Sequence, residues 1–318
     1  MTQVDTAPAS ALVIGPIYVD TVFAGLTRLP MPGEEVVASE FGVAPGGYAI
    51  SALALHRLGI PTTLCGDVGP DLYGSYLTDV LKQQGLSTRA VFTDATATNV
   101  AVTVNWSGDR GIVSYGRQSM ADISRYETVL DEQPPGTVVL LSARHPYAPS
   151  LLERAKTRSL EVALSLSWHP DFLRSWQLRD LLVSSDLLFC NVPEALMVSQ
   201  ETDVERAGRR LAGSVPEVII TRGPEGADVI HGHHRDHVAA VPAVLVDATG
   251  AGDVFAASYL AARLWGWDYA DRLRAGSFCA GRALEHIGPL GLAFSREMLE
   301  RSLGRAPGVA GLDAVLPG

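Results

Sequence analysis

Residues 246–257, with the sequence VDATGAGDVFAA, decide the fold of this chain. The residues just before and within this stretch, 243–247, read AVLVD, an apolar run that predicts a buried strand. Residues 253–264 have the spacing of an amphipathic helix. Gly250 and Gly252 lie between the two elements and predict a tight strand-to-helix turn.

Such a turn has a chemical consequence. The first N–H groups of a helix have no partner within it, and the positive end of the helix dipole lies behind them. The backbone of Gly250, Ala251 and Gly252 can therefore form an anion hole for a transferring phosphoryl group. Asp253, in the first helical turn, is placed to accept the proton of an attacking hydroxyl as a general base. The alternative is structural, with Asp253 capping the helix and the glycines only turning the chain.

Two other phosphate-binding designs fit the sequence less well. A dinucleotide motif would require a third glycine at position 255, where Phe255 is too large for close helix–strand packing. A phosphate loop of the G-x-x-x-x-G-K-[ST] type needs a lysine beside a glycine-rich turn. The chain has only two lysines, Lys82 and Lys156, and neither is so placed.

The rest of the chain predicts an α/β protein with a small additional sheet. Residues 20–47 contain several Pro and Gly and predict strands separate from the main sheet, while residues 99–105 and 110–115 predict a hairpin that joins them. Apolar runs at 138–142, 161–166, 187–190 and 217–221 alternate with helical stretches, which indicates βαβ units and a mostly parallel central sheet. Residues 227–230 and 238–241 predict a further hairpin. We expect one domain over residues 1–318, with lid segments at about 18–47 and 97–118.

The composition of the chain limits the classes of partner and the cellular location that we expect. With 318 residues, 47% of them hydrophobic, the chain can bury a large core. A net charge of −10 disfavours sequence-independent nucleic-acid binding. No apolar run reaches the roughly 18 residues of a membrane span, and the N-terminus lacks a signal-peptide pattern, so we expect no membrane association. Three widely spaced cysteines, Cys65, Cys190 and Cys279, predict free thiols and a cytoplasmic location.

Several motifs together resemble the ribokinase/PfkB-type carbohydrate kinases. Residues 246–257 resemble the C-terminal signature of that family, and residues 15–20 (GPIYVD) its first strand. The Pro-Gly motifs at 32–34 and 45–47, followed by Arg57-Leu58-Gly59, resemble its N-terminal signature. Residues 66–71 (GDVGPD), 191–194 (NVPE) and 221–226 (TRGPEG) match later motifs in the family's order. The resemblance implies a three-layer α/β/α ribokinase-like fold with a small β-sheet lid.

The resemblance also implies roles for particular residues. Asp253 would be the base, and Asp20, Gly46 and Gly47 would hold the substrate, with Thr98 and Asn99 reaching it from the hairpin. The residues expected on the nucleotide side are Asn191, Thr221, Gly223, Gly226 and Ser277. Glu194 would organise Mg²⁺ through water, and Asp247 with the Thr249 carbonyl would form a monovalent-cation site such as one for K⁺. Each of three residues also has a structural alternative. Glu194 could only be an acid favoured by the helix dipole, Asp247 could only cap the turn, and Thr98 could only reflect the β-propensity of its strand.

Two positions depart from the family pattern. Tyr18 stands where the family commonly has Asn, and Ile50 stands where the N-terminal signature has Asn. Ile50 cannot hydrogen-bond a sugar hydroxyl, so that substrate contact is missing or supplied elsewhere. Tyr18 and Tyr48 either add aromatic surface to the pocket or pack in the core. We expect His231, His233, His234 and His237 to form a solvated hairpin tip, and Arg110 and Arg117 to lie on or near the lid hairpin.

These observations favour an ATP- and Mg²⁺-dependent kinase that phosphorylates a hydroxyl of a small sugar or sugar-like metabolite. One alternative is a nucleoside kinase of the same family. A second is a non-catalytic sugar- or nucleotide-binding regulator, which the changes at Tyr18 and Ile50 would suit. A small sheet with open edges also suggests a homodimer formed through the lid.

Overall fold

The computed structural model describes residues 9–93, 97–106, 109–116, 121–288, 291 and 294–305. Ser107 and Gly108 of the predicted hairpin turn, Arg117, and Gln118 at the end of the second lid segment lie outside the described residues. The strands are β1 (Ala11–Ile14), β2 (Ile17–Leu26), β3 (Glu40–Gly47), β4 (Thr62–Val68), β5 (Val91–Thr93), β6 (Asn99–Trp106), β7 (Asp109–Tyr115), β8 (Val138–Ser142), β9 (Glu161–Ser165), β10 (Leu187–Asn191), β11 (Glu217–Thr221), β12 (Ala227–His231) and β13 (His234–Val238).

The helices surround the larger of two sheets. They are α1 (Tyr48–Arg57), α2 (Leu72–Gln83), α3 (Ile123–Asp131), α4 (Ala148–Thr157), α5 (Pro170–Leu173), α6 (Trp176–Ser184), α7 (Val192–Ser199), α8 (Val204–Ala212), α9 (Ala251–Leu264), α10 (Tyr269–Leu284) and α11 (Arg296–Ser302).

The large sheet has the strand order β13-β12-β11-β10-β9-β8-β1-β4-β5. Pairing is parallel from β11 through to β5, and β12 and β13 extend one edge of the sheet as antiparallel strands. Along β1, Ala11 and Val13 face one apolar core, while Leu12 and Ile14 face the other. This period of two places helices on both faces of the sheet, which is the predicted three-layer arrangement.

The small sheet has the order β3-β2-β6-β7. β6 and β7 pair as the predicted hairpin, and β2 pairs with both β3 and β6. The expected mostly parallel sheet with a smaller second sheet is therefore confirmed.

Two sequence expectations near the C-terminal half are wrong. Residues 243–247 form no strand, because the N–H groups of Val246 and Asp247 both donate to the Leu284 carbonyl at the end of α10. Pro242 just before them also lacks the N–H that a sheet ladder needs. The second hairpin strand is β13 and not residues 238–241, since the chain turns tightly at Gly232 and His233.

Candidate active site

The turn before α9 has the geometry expected of an anion-binding backbone. Gly250 is the N-cap residue of α9 and adopts a left-handed conformation with φ of 77°, which glycine accepts without strain. The Ala251 N–H lies 3.5 Å from the Ala248 carbonyl, a long contact. Within the described part of the chain, the N–H groups of Gly250 and Gly252 have no hydrogen-bond acceptor. Donors at a helix N-terminus that lack acceptors can bind an anion.

Ile50 has a packing role that accounts for its departure from the family pattern. Its side chain is buried, and a Cβ at Gly250 would overlap the Ile50 Cδ1 atom. Ile50 therefore packs directly against the turn. The neighbouring Ser51 hydroxyl donates to the Asp253 carbonyl at 3.3 Å, so α1 supports the start of α9 through both residues.

Asp253 lies in the first turn of α9, close to two other carboxylates. Burial raises its pKa to about 7, and the charges of Asp20 and Glu194 add to the increase. Burial and the charge of Asp247 likewise raise the pKa of Asp20 to about 7. Desolvation and like charges both disfavour the ionised form. A cation beside these groups would favour their ionised forms.

The small sheet supplies Asp20 to this site. Asp20 is on β2 and is 6% exposed. A Cβ at Gly46, on the paired strand β3, would overlap the Asp20 carboxylate. Gly47, with φ of 60°, ends β3 and begins α1, where a Cβ would meet the Pro16 carbonyl. The two glycines therefore allow the carboxylate and the chain turn to fit closely together.

A cavity of about 390 Å³ lies between the two sheets. Of the predicted site residues, Asp253, Gly47 and Asn99 line it, whereas Asp20 does not. The other lining residues are Gly15, Pro16, Tyr18, Tyr48, Asp67, Val68, Ala97, Gly116, Tyr126, Ser142, Arg144, His145, Pro146, Ser165, Leu166 and Ser167. Its walls therefore come from both sheets and from the start of α9.

Thr98 and Asn99 differ in their position relative to this cavity and in their hydrogen bonds. The Thr98 hydroxyl donates to Asp71 at 2.7 Å and accepts from the Gly69 N–H at 2.8 Å, and Thr98 is not among the lining residues. Its single O–H is therefore already used. Asn99 lines the cavity while its Nδ2 atom donates to the Ile17 carbonyl at 3.2 Å.

Asn191 and Glu194 form a reciprocal cap at the start of α7. Asn191 Oδ1 accepts from the Glu194 N–H, and Glu194 Oε2 accepts from the Asn191 N–H, both at 2.9 Å. This capping box accounts for the N-x-x-E spacing structurally. Glu194 is buried, and that burial raises its pKa. Because its charge acts on Asp253, the capping box also holds a carboxylate near the proposed base.

The residues predicted for the nucleotide side lie outside the cavity wall. Asn191 and Thr221 are register neighbours at the carboxyl ends of β10 and β11. Gly223 and Gly226, with φ of 58° and 98°, form the turn that follows. Ser277 is buried in the middle of α10. The structure thus brings Asn191, Thr221 and the two glycines together at one sheet edge, with Ser277 on a separate helix.

Asp247 and Thr249 lie in a small polar cluster. Asp247 Oδ1 accepts from the Thr249 N–H at 2.9 Å and from Asn105 Nδ2 at 3.3 Å. The remaining oxygens, Asp247 Oδ2, Thr249 Oγ1 and Asn105 Oδ1, are buried and have no partner among the described residues. Three buried oxygens without donors fit a cation.

Sequence reasoning missed one part of the cavity wall. Ser142, Arg144, His145, Ser165 and Ser167 line it at and beyond the ends of β8 and β9. Ligands of parallel α/β sheets bind at the carboxyl ends of strands. The polar residues that follow the predicted strands 138–142 and 161–166 were therefore a usable signal.

The tip of the β12–β13 hairpin is solvent-exposed as predicted, since His233, His234 and His237 are exposed, while His231 is partly buried. The His231 ring stacks on Tyr269 at 3.7 Å, and its Nε2 atom lies 3.1 Å from Asp236. His237 Nδ1 lies 2.7 Å from Asp228. Across the described residues, no group of three or more His, Cys, Asp or Glu side chains could hold a metal ion. The described part of the chain also has no helix long and apolar enough to cross a membrane.

Solved structures with the same architecture identify the fold. Arabidopsis thaliana ribokinase complexed with ribose and ATP superposes with a TM-score of 0.78 at 22% identity, covering 94% of this chain and 100% of that one. Burkholderia thailandensis nucleoside kinase in complex with inosine gives a TM-score of 0.78 at 20% identity, with the same coverage of 94% and 100%. These similarities establish a ribokinase-like fold.

Sequence relatives are consistent with that class. A cytidine kinase of Thermococcus kodakarensis is 28% identical over 298 residues, which cover 91% of this chain and 96% of the relative. A ribokinase of Bacillus subtilis is 27% identical over 308 residues, covering 92% and 98%. The pfkB family carbohydrate kinase model matches residues 9–292. The chain belongs to this family and is a phosphotransferase that takes a hydroxyl group as acceptor.

Proposed function

We propose that this protein transfers the γ-phosphoryl group of ATP to a hydroxyl of a small sugar or sugar-like metabolite, with Asp253 as the general base. The observation that carries the proposal is the position of Asp253, which lines the cavity directly beside the turn with N–H groups available. The acceptor hydroxyl would lie against Asp253 and give up its proton there. Gly250, Ala251 and Gly252 would hold the charge that develops on the transferring group.

Asp20 would orient the substrate from the small sheet, which would act as the lid. Gly46 leaves room for its carboxylate, and Gly47 and Asn99 form the adjoining wall. Thr98 is better described as a support for this wall, because its hydroxyl is bonded to Asp71. Closing the site excludes water, which favours transfer to the substrate over hydrolysis.

The carboxylates fit a bound Mg²⁺. Asp253, Asp20 and Glu194 lie close enough for the charges of Asp20 and Glu194 to raise the pKa of Asp253, so a divalent cation would relieve their repulsion. When bound, Mg²⁺ neutralises phosphate charge during phosphoryl transfer. Glu194 would hold it through water, and Asn191, Thr221, Gly223, Gly226 and Ser277 would form the nucleotide side.

The polar cluster behind the turn fits a monovalent cation such as K⁺. The side-chain oxygens Asp247 Oδ2 and Thr249 Oγ1, which have no partner among the described residues, support this assignment, and the Thr249 carbonyl stays a predicted ligand. Because Asp247 also accepts from the Thr249 N–H two residues along the chain, a cation there would stabilise the turn that carries the anion hole.

Nucleoside phosphorylation is the second candidate function. The cytidine kinase relative favours it.

The small sheet would also form a homodimer interface. Its outer surface exposes Phe23 and Phe41, whose rings lie 5.1 Å apart, together with Ile112. An apolar sheet surface of this kind suits self-association. Light scattering of the purified protein tests this, and a monomer at micromolar concentration would contradict it.

A panel assay tests the proposed function. ATP consumption is measured with Mg²⁺ against pentoses, hexoses, sugar acids, sugar phosphates and nucleosides. Phosphorylation of a non-nucleoside member supports the first candidate, and phosphorylation of nucleosides alone supports the second. Binding without turnover of any member would contradict both.

A further inference from the structure

The floor of the cavity is polar and comes from neighbouring strand ends. Ser142 and Ser165 are register partners at the ends of β8 and β9, and both line the cavity. The chain beyond Ser142 supplies Arg144 and His145, which continue the wall. Neither residue belongs to the proposed phosphoryl-transfer machinery around Asp253.

Arg144 is the only lysine or arginine among the described residues that line the cavity. Its guanidinium makes no hydrogen bond or ion pair within the described part of the chain, and the side chain is exposed. Burial raises the pKa of the nearby Tyr18 phenol, and the Arg144 charge opposes that increase. The charges that act on Asp253 are instead those of Asp20 and Glu194. The charge of Asp20 also acts on Tyr18 and raises its pKa further, and Asp67, whose Oδ2 atom accepts from the Tyr126 hydroxyl, lines the same cavity. Arg144 is thus a cation next to Tyr18 in a cavity whose wall also includes carboxylates.

His145 adds a fixed neutral donor beside Arg144. It is 6% exposed, and burial lowers its pKa to about 4, so the ring is uncharged near neutral pH. Its Nδ1 atom accepts from the Tyr147 N–H at 3.3 Å, which leaves the ring proton on Nε2. The rings of Tyr126 and Tyr147 pack at 4.8 and 5.8 Å and hold the imidazole in place.

Of the three tyrosines that line the cavity, Tyr48 and Tyr126 are buried and Tyr18 is partly exposed. Tyr126 is fully buried among Phe92, His145 and Tyr147. The Tyr48 ring packs against the backbone of Gly15, where a Cβ would overlap it. The Tyr48 and Tyr126 rings therefore support the wall, which leaves Tyr18 and the polar donors to contact a ligand.

We propose that Arg144, with His145, binds an anionic group of the substrate, so that the preferred acceptors are sugar acids or sugar phosphates. The inference rests on the proposed kinase function, since the substrate's hydroxyl would face Asp253 while its carboxylate or phosphate ester faces Arg144. A guanidinium is well suited to both anions because it presents paired N–H donors to two oxygens. Arg144 would be a specificity-determining residue without a part in proton transfer.

The test compares matched ligands on matched variants. Aldonates and 2-keto-3-deoxyaldonates are compared with their uncharged amides, and sugar phosphates with the parent sugars, on wild type, Arg144→Ala and Arg144→Lys. Arg174→Ala is the control, because it removes the same charge from an exposed arginine that does not line the cavity. We expect Arg144→Ala to lower kcat/KM for the anionic substrate roughly ten- to hundredfold, mainly through KM. The amide should change little, and lysine should restore part of the loss.

Ligand-induced stabilisation in thermal melts without ATP provides a readout that does not need turnover. Stabilisation of wild type by an anionic ligand, lost in Arg144→Ala and kept in Arg174→Ala, supports the anion site, and the responding ligand tells carboxylate from phosphate. If anions bind through Arg144 but no substrate is phosphorylated, the kinase proposal fails and the anion site stands. If neutral sugars or nucleosides are phosphorylated and anions neither bind nor react, the anion site is overturned and the kinase proposal stands.

Discussion

Replacing Asp253 with Asn should stabilise the ligand-free protein, and increasingly so as the pH rises. The folded-state pKa of Asp253 is raised to about 7, from an ordinary value of 3.8. A raised carboxyl pKa means that the fold favours the protonated form, so its stabilising contribution is complete below pH 3.8 and is lost as the pH rises through 7. A difference of about 3 pKa units corresponds to a ceiling of about 4 kcal/mol, of which about 2.6 kcal/mol develops between pH 5 and pH 8.

Thermal melts of wild type and Asp253→Asn at pH 5 and pH 8, in chelator and without nucleotide, measure this difference. With an unfolding entropy of about 0.7 kcal/mol/K for a chain of this length, the Tm advantage of the variant should grow by roughly 4 °C between the two pH values. Asp79→Asn is the control, because Asp79 is exposed on α2. An advantage that does not change with pH, or that shrinks, would refute the raised carboxyl pKa assigned to Asp253.

Three further results are expected. The kcat/KM of the wild-type enzyme should rise about tenfold per pH unit below 7 and level off above it, because Asp253 must be ionised to accept a proton. A pH–rate profile measures this, and a fall in kcat/KM over that range would contradict Asp253 as the base. Gly46→Ala should lower kcat/KM about 100-fold in steady-state kinetics, because the new Cβ would displace the Asp20 carboxylate, and unchanged kinetics would exclude Asp20 from the site. Arg263→Met should cost about 3 kcal/mol in urea unfolding, because the buried Glu217 loses a partner at 2.5 Å; a loss below about 1 kcal/mol would show that the pair matters little.

The large sheet could be predicted because its signals are local. Apolar runs such as residues 138–142 and 217–221 are buried on both faces in the structure, and continuous apolar runs are typical of parallel strands. The hairpin of β6 and β7 could be predicted from strict alternation. The apolar-run signal was misleading at residues 243–247, where Val244 and Leu245 are 71% and 57% exposed. No strand forms there because the backbone N–H groups of this segment donate to the end of α10.

The candidate site could be predicted only in part from the sequence. The turn at Gly250 and the acid at Asp253 are adjacent in sequence, so their geometry could be anticipated from one motif. Ile50 could not be understood without the structure, because its partner Gly250 lies 200 residues away in sequence. Arg144 follows a predicted strand end, which was a usable signal, but only the fold brings it near Tyr18.

The turnover of Asp253→Asn with its best substrate, ATP and Mg²⁺ is the measurement that tests the proposed mechanism most directly. Asn keeps the shape of the side chain but cannot accept the proton, so kcat should fall by about 10²–10⁴. Affinity for substrate and nucleotide should stay close to that of wild type in direct binding measurements, and Asp79→Asn should keep full activity. An Asp253→Asn variant that retains wild-type kcat would show that the proton of the acceptor hydroxyl goes elsewhere.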